Sequence, residues 1–185
     1  AKADEDSLIA NSTSSGSLLI GVASCDPARM TDPRERIANF YAAFARRDAE
    51  GMIVHYHPQV RFTDPAFVDL DARETAGMWR MLCERAQEFS LEASNIQVQG
   101  ERGSAHWEAR YLFSATGRRV HNIIDAEFRF ADGLIIEHRD SFDFYRWSRQ
   151  ALGVPGLLLG WSSFLQNKVR AQARKGLEIY LAKQG

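Results

Sequence analysis

From Ala105 to Tyr145 the sequence runs with a two-residue period, which allows little besides long neighbouring strands with one buried face. Ala105, Trp107, Ala109, Tyr111 and Phe113 occupy the odd positions of the first run, with His106, Glu108 and Arg110 between them. Thr116-Gly117 marks a turn. Asn122, Ile124, Ala126, Phe128 and Phe130 then share one side, against His121, Asp125, Glu127 and Arg129 on the other. Asp132-Gly133, between two such runs, is a strong hairpin signal. The last run, Leu134–Tyr145, puts Leu134, Ile136, His138, Asp140, Phe142 and Phe144 on one face. Strands of this kind form an antiparallel sheet whose apolar face needs a cover.

The cover lies upstream. Thr31 or Asp32 can cap a helix whose first turn holds Pro33 and Glu35. Ile37, Phe40, Tyr41 and Phe44 give that helix one apolar face, and Gly51 ends or bends it. Met52–His57 reads as a short second helix stopped by Pro58, and Val60–Thr63 as a short strand running into Asp64-Pro65. A third helix spans Ala72–Phe89, with Ala76, Trp79, Leu82, Cys83 and Ala86 on one side. After Gly153-Val154-Pro155-Gly156 the pattern is helical again, and Trp161, Leu165, Val169, Ala173, Leu177 and Leu181 can share a face. Helices followed by a strand meander imply an α+β domain with the helices on one face of the sheet.

Charge and cysteine content exclude several function classes. With 23 basic and 24 acidic residues the net charge is −1, which gives no general attraction to nucleic acid. No apolar run approaches the ~18 residues of a membrane span. Cys25 and Cys83 are too few for a disulfide framework or a metal cluster and fit a reduced, cytoplasmic setting. Val22-Ala23-Ser24-Cys25 resembles a lipoprotein cleavage box, but Asp4, Glu5 and Asp6 precede it where a secretory signal wants positive charge. Residues 1–30 read instead as an extension, disordered around 11–17 where Ser, Thr, Asn and Gly dominate. Between Gln166 and Gly185 five basic residues face one acidic residue, Glu178. Such a helix can lie on a membrane surface, yet packing on its own domain or a partner subunit is the commoner use.

Three polar residues fall on faces expected to be interior: Asn122, His138 and Asp140. A carboxylate buried near Phe142 and Phe144 costs several kcal/mol unless it is paired or sits in a wet cavity. In a pocket with apolar walls such a group can act as general acid or base, with His138 close enough to couple to it. A purely structural His138–Asp140 pair satisfies the same pattern. Asp64 is a second candidate, although Asp before Pro is also common in plain turns. Trp79, Trp107 and Tyr111 can line a cavity or simply fill the core. His55 and His57 lack a third ligand at metal-binding spacing, and no glycine-rich phosphate loop or nucleophile elbow occurs.

The order of these elements is similar to a known family. Phe40-Tyr41-Ala42-Ala43-Phe44 with Arg47-Asp48 and Met52, then Val60-Arg61-Phe62-Thr63-Asp64-Pro65, resembles the opening of the nuclear transport factor 2-like superfamily. The segment from Asp132 to Asp143 resembles the last hairpin of its SnoaL-like branch. The resemblance covers roughly residues 33–147 and implies a cone: a curved antiparallel sheet wrapped around N-terminal helices, with a pocket at the open end. It also implies dimers paired through the sheet. Members include steroid isomerases, polyketide cyclases, epoxide hydrolases and non-enzymatic binders, so fold alone does not choose a function. Asp64 falls where the steroid isomerases carry their base, but their two oxyanion donors are replaced by Phe40, with Tyr41 adjacent, and by Ala126. No Asp–Arg–Asp relay of the epoxide hydrolase type stands on an inward face. Asp140 resembles the acid/base Asp on the final strand of the SnoaL-type cyclases.

The expected organisation is thus an extension over 1–30, a SnoaL-like domain over 31–147 and a C-terminal helical tail over 148–185. The expected function is binding of a small apolar molecule, with two readings open. One is cofactor-independent acid/base catalysis by Asp140, His138 and Asp64, with Asn122, Tyr41, Trp79, Trp107, Tyr111 and Phe142 lining the site. The other is a non-catalytic binding or dimeric assembly module. Neither involves a metal or a cofactor.

Overall fold

Asp32 accepts a hydrogen bond from the Arg34 amide and starts helix α1 (Pro33–Ala45), whose face of Ile37, Phe40, Tyr41 and Phe44 is buried as its spacing predicts. The computed structural model describes residues 32–184, so Cys25 and the extension before Asp32 lie outside the described residues. Asp48 caps the short α2 (Ala49–Ile53). Strand β1 then runs Tyr56–Thr63, so the helix expected over Met52–His57 is two elements. Pro58 does not stop a helix here. It sits in the irregular stretch between the Tyr56–Ile135 and Arg61–Glu137 pairs, on an edge strand where a missing N–H leaves no ladder bond broken.

Asp71 and Glu74 form a reciprocal capping box at the start of α3 (Ala72–Arg85). The helix ends four residues before the expected Phe89, because strand β2 (Gln87–Gln99) begins there. Its buried face holds Thr75, Met78 and Trp79, while Leu82 is exposed. The alternation of β2 is broken by Glu88 and Asn95, both at positive φ beside shifts of register. These bulges account for a strand that no simple two-residue period announces.

Strands β3 (Arg102–Phe113), β4 (Arg118–Ala131) and β5 (Leu134–Ser141) form the expected meander. Asp132 and Gly133 both have positive φ, which a tight hairpin of matching twist requires. The sheet order is β1-β5-β4-β3-β2. It is antiparallel except that β1 runs parallel to β5. A shift of register between Arg129 and Phe130 turns Ile135 inward in place of Leu134 and Ile136, after which His138 and Asp140 are interior as expected.

The last strand ends at Ser141, short of the expected Tyr145, because Asp143 caps a helix, α4 (Phe144–Leu152). Beyond Asp125 the edge of β4 has no β5 partner, and α4 takes over. The Gln150 side-chain amide accepts from the His121 N–H at 2.8 Å and donates to the His121 carbonyl at 3.1 Å. A short α5 (Val154–Leu159) leads to α6 (Ser163–Ala182), which packs Leu177 and Leu181 on α3 across Gly77. Trp161, expected on that packed face, precedes the helix and is exposed.

The core consequently divides. A large cluster around Phe40, Phe62, Trp79, Phe128 and Ile135 fills the cone, and a smaller one around Val120, Trp147 and Ala151 sits under α4. Each fully buried side chain of this size contributes ~1.5–3 kcal/mol.

Candidate functional site

At the centre of the larger cluster a hydrogen-bonded chain links four elements. Trp79 on α3 donates its indole N–H to the Tyr56 hydroxyl at 3.0 Å. That hydroxyl lies 2.6 Å from Nδ1 of His138, and Nε2 of His138 lies 3.1 Å from Oδ1 of Asp140. Trp107 on β3 donates its indole N–H to the same Oδ1 at 3.3 Å. The proton count orients the chain. Indole is donor-only, so the Tyr56 oxygen accepts and its own proton is free for Nδ1. On the other side of the ring Nε2 faces Asp140, where an Nε2–H donates to the carboxylate. Phe40, Phe62, Trp79 and Phe128 surround the imidazole, with the Phe128 ring 4.4 Å away.

Asp140 is only 5% exposed, yet both of its hydrogen bonds fall on Oδ1. Oδ2 accepts none among the described residues. Ala126 is paired opposite Asp140 across β4–β5, so a methyl group occupies the neighbouring inward position. Tyr41, from α1, has a buried hydroxyl with no partner among the described residues. Burial and the charge of Asp140 hold its proton on well above the ordinary tyrosine range. Burial, with Asp140 again contributing, does the same to Tyr56.

Further polar groups face the seam between the two apolar clusters. Asp64 follows β1, where its Oδ1 caps the Ala66 and Phe67 amides and leaves Oδ2 without a hydrogen bond among the described residues. Burial, reinforced by Asp140, outweighs those amides and the Arg170 charge and pushes the Asp64 carboxyl up to about 7. Asn122 is 8% exposed, and its side-chain amide makes no hydrogen bond within the described residues. Tyr111, raised to about 12 by burial, accepts from the Trp147 indole at 3.0 Å and joins the two clusters. Phe142 follows β5 instead of lying on it and packs toward Trp147, 6.3 Å between rings. Arg170 of α6 donates to the Pro65 carbonyl at 2.9 Å, fastening the tail beside Asp64.

The residues singled out in the sequence therefore meet in two places. His138, Asp140, Trp79 and Trp107 belong to one chain of hydrogen bonds, with Tyr41 close by. Asp64, Asn122, Tyr111 and Phe142 line the seam. His55 and His57 diverge, toward Arg36 at 3.4 Å and Asp132 at 3.7 Å. Tyr56, Trp147 and Arg170 are missing from the sequence reading. Tyr56 shares an even-numbered spacing with Val60 and Phe62 that marks it as inward-facing, a signal hidden by assigning it to a helix.

The profile of the SnoaL-like domain matches residues 37–138, more than half of the chain. No curated protein matches. Solved structures that are similar include an NTF2-like protein of unknown function from Burkholderia pseudomallei, 22% identical with a TM-score of 0.58, the likeness covering 65% of this chain and 98% of that one. An M. tuberculosis LEH-like epoxide hydrolase is 20% identical, with a TM-score of 0.56 over 69% of this chain and 95% of that one. IdmH, a candidate polyketide cyclase from Streptomyces antibioticus, is 23% identical, with a TM-score of 0.56 over 66% and 99%. At these identities the likeness concerns the fold alone.

Proposed function

This chain belongs to the SnoaL-like domain family, and on that premise we propose that it is a cofactor-independent enzyme moving protons on a small, mostly apolar, carbonyl-containing molecule. The observation that carries this is the asymmetry of Asp140: Oδ1 is held by His138 and Trp107, while Oδ2 has no partner among the described residues. An oxygen receiving two donors carries no proton, so Oδ2 is the atom that exchanges one.

Oδ2 takes a proton from the carbon beside the substrate carbonyl, and the C–H electron pair moves into an enolate. The charge that develops on the enolate oxygen is met by the Asn122 amide and, in its protonated form, Asp64 at the seam, and by the Tyr41 hydroxyl beside Asp140, which has no partner among the described residues. Return of the proton to another carbon isomerises the substrate; where the enolate carbon instead attacks a second carbonyl, that C=O π bond opens to an alkoxide, which takes the proton back from Asp140 Oδ2 as the ring closes. His138 and Tyr56 position Asp140. Trp79, Trp107, Tyr111 and Phe142 supply apolar walls. No step runs through a metal or a nucleotide. The setting is cytoplasmic, and the protein works as a homodimer through the outer face of the sheet.

One observation favours a second reading, a binding or assembly module. The lower cone is filled with aromatic rings, and Asp140 is already hydrogen-bonded there. The test is to screen apolar ketones and polyketide-like compounds by thermal shift, then measure turnover of the hits by the parent protein and Asp140→Asn. Turnover lost in the variant with binding retained supports catalysis, whereas unchanged turnover removes Asp140 as the acid/base group.

A further inference from the structure

The turn between α4 and α6 carries a surface that the site does not use. From Ala151 to Trp161 no side chain is polar. Val154, Leu157, Leu158, Leu159, Trp161 and Phe164 are all exposed, from 42% for Leu159 to 75% for Trp161. Trp161 has its indole N–H bonded to the Leu158 carbonyl at 3.0 Å, so what it presents outward is the apolar ring. This arrangement is held firmly from behind. A Cβ at Gly156 would lie 1.9 Å from the Ser148 carbonyl oxygen and one at Gly160 2.1 Å from Ser148 Oγ, so α5 is pressed onto α4 with its leucines outward.

The chain segment that carries this surface has charge of one sign. Between Phe144 and Leu177 there are six basic residues (Arg146, Arg149, Lys168, Arg170, Arg174 and Lys175) and no acidic one, in a chain whose net charge is −1. Arg170 and Arg174 have partners in the fold. Arg146 and Arg149 do not form ion pairs among the described residues. They share a recess with Arg118 and Arg119, of which Arg119 is paired to Glu88. Arg118 lies against Gly153, one residue before Val154.

We propose that this surface docks on an anionic lipid bilayer, with the α5 leucines, Trp161 and Phe164 entering the interface and the arginines meeting the headgroups. An apolar wedge flanked by cations fits such a surface, where each basic residue adds to the attraction and Trp settles at headgroup depth. A second copy fits less well. A two-fold contact would set this patch on itself and bring two all-basic segments together. A protein partner would meet eleven consecutive residues that offer no side-chain hydrogen bond. The docking is peripheral: no helix among the described residues is long and apolar enough to cross a membrane.

The experiment is co-sedimentation of the purified full chain with vesicles of equimolar phosphatidylcholine and phosphatidylglycerol, with pure phosphatidylcholine vesicles alongside. The expected result is partition onto the anionic vesicles that weakens when salt is raised from about 0.1 to about 0.5 M. Leu157→Asp with Leu158→Asp should reduce it at least ~tenfold. Both side chains are more than half exposed, so an unchanged melting temperature should show that the variant folds. Absence of binding to anionic vesicles, equal binding to the neutral ones, or binding indifferent to the two aspartates overturns the proposal. Light scattering that finds a dimer dissolved by the same substitutions, without vesicle binding, overturns it in favour of a second copy.

Discussion

The Tyr56 hydroxyl lies 2.6 Å from Nδ1 of His138, on the opposite side of the imidazole from Asp140. Edge strand β1 thereby reaches β5 through a side chain as well as through the backbone ladder. Removing that hydroxyl by Tyr56→Phe strands the Trp79 N–H and frees Nδ1 to take the proton. We expect a loss of ~1–3 kcal/mol in urea unfolding, and a mixture of His138 tautomers by nitrogen NMR where the parent shows one. A neutral effect on both would mean that the chain of hydrogen bonds does not orient His138.

Asp140→Asn keeps an oxygen for the two donors while removing the group that exchanges a proton. Stability should therefore change little in thermal unfolding, whereas turnover of a confirmed substrate should fall on the order of 10²–10⁴-fold. Asp140→Ala leaves His138 Nε2–H and Trp107 Nε1–H without their acceptor and should cost stability as well. The contrast between the two variants separates chemistry from packing.

The seam carboxylate makes stability depend on pH. Asp64 titrates near 7 in the fold against an ordinary 3.8, so between these values the native state holds a proton that the unfolded chain has lost. Its contribution is fully present below about 4 and is lost as the pH rises through about 7. Since solvent reaches part of the residue, the loss should be roughly 1–3 kcal/mol. Asp64→Asn, which can still cap Ala66 and Phe67, should flatten that part of the profile in urea titrations between pH 4 and 8. An unaltered slope would place the titrating group elsewhere.

Gly156 is the contact on which α5 is pressed to α4. Its Cβ position is 1.9 Å from a backbone oxygen that cannot rotate away, so Gly156→Ala should cost ~1–3 kcal/mol and speed amide exchange in both helices. Exchange should also quicken at the His121 amide of β4, which Gln150 of α4 holds, and stay unchanged in β3 and in the part of β4 paired with β5. Slow exchange retained throughout α4 and α5 would show that the close approach at Gly156 is not what holds the two helices together.

Much of the fold was legible because each signal was local. The alternation around Trp107 and Phe128, the Asp132-Gly133 turn and the Ile37–Phe44 face all report on neighbours a few residues apart. The alternation failed where the backbone inserts a residue. Asn95 hides β2 and the shift beside Phe130 turns Ile135 inward, because a bulge inverts the face of every residue beyond it until the next. Pro58 misled because its tolerance depends on whether its strand is an edge, which is a property of the whole sheet.

That His138 and Asp140 share an inward face follows from residue order alone, since side-chain direction along a strand is a matter of parity. What they meet there depends on the assembled fold. Tyr56 and Trp107 lie 82 and 33 residues away from their respective partners, and no period links them. The same holds for the closure of α4 over the end of β4, for Asp64 and Asn122 facing one seam, and for the leucines of α5 remaining outside. Those outcomes rest on which surfaces remain uncovered once the sheet and its helices have packed, and local pattern carries no record of that competition.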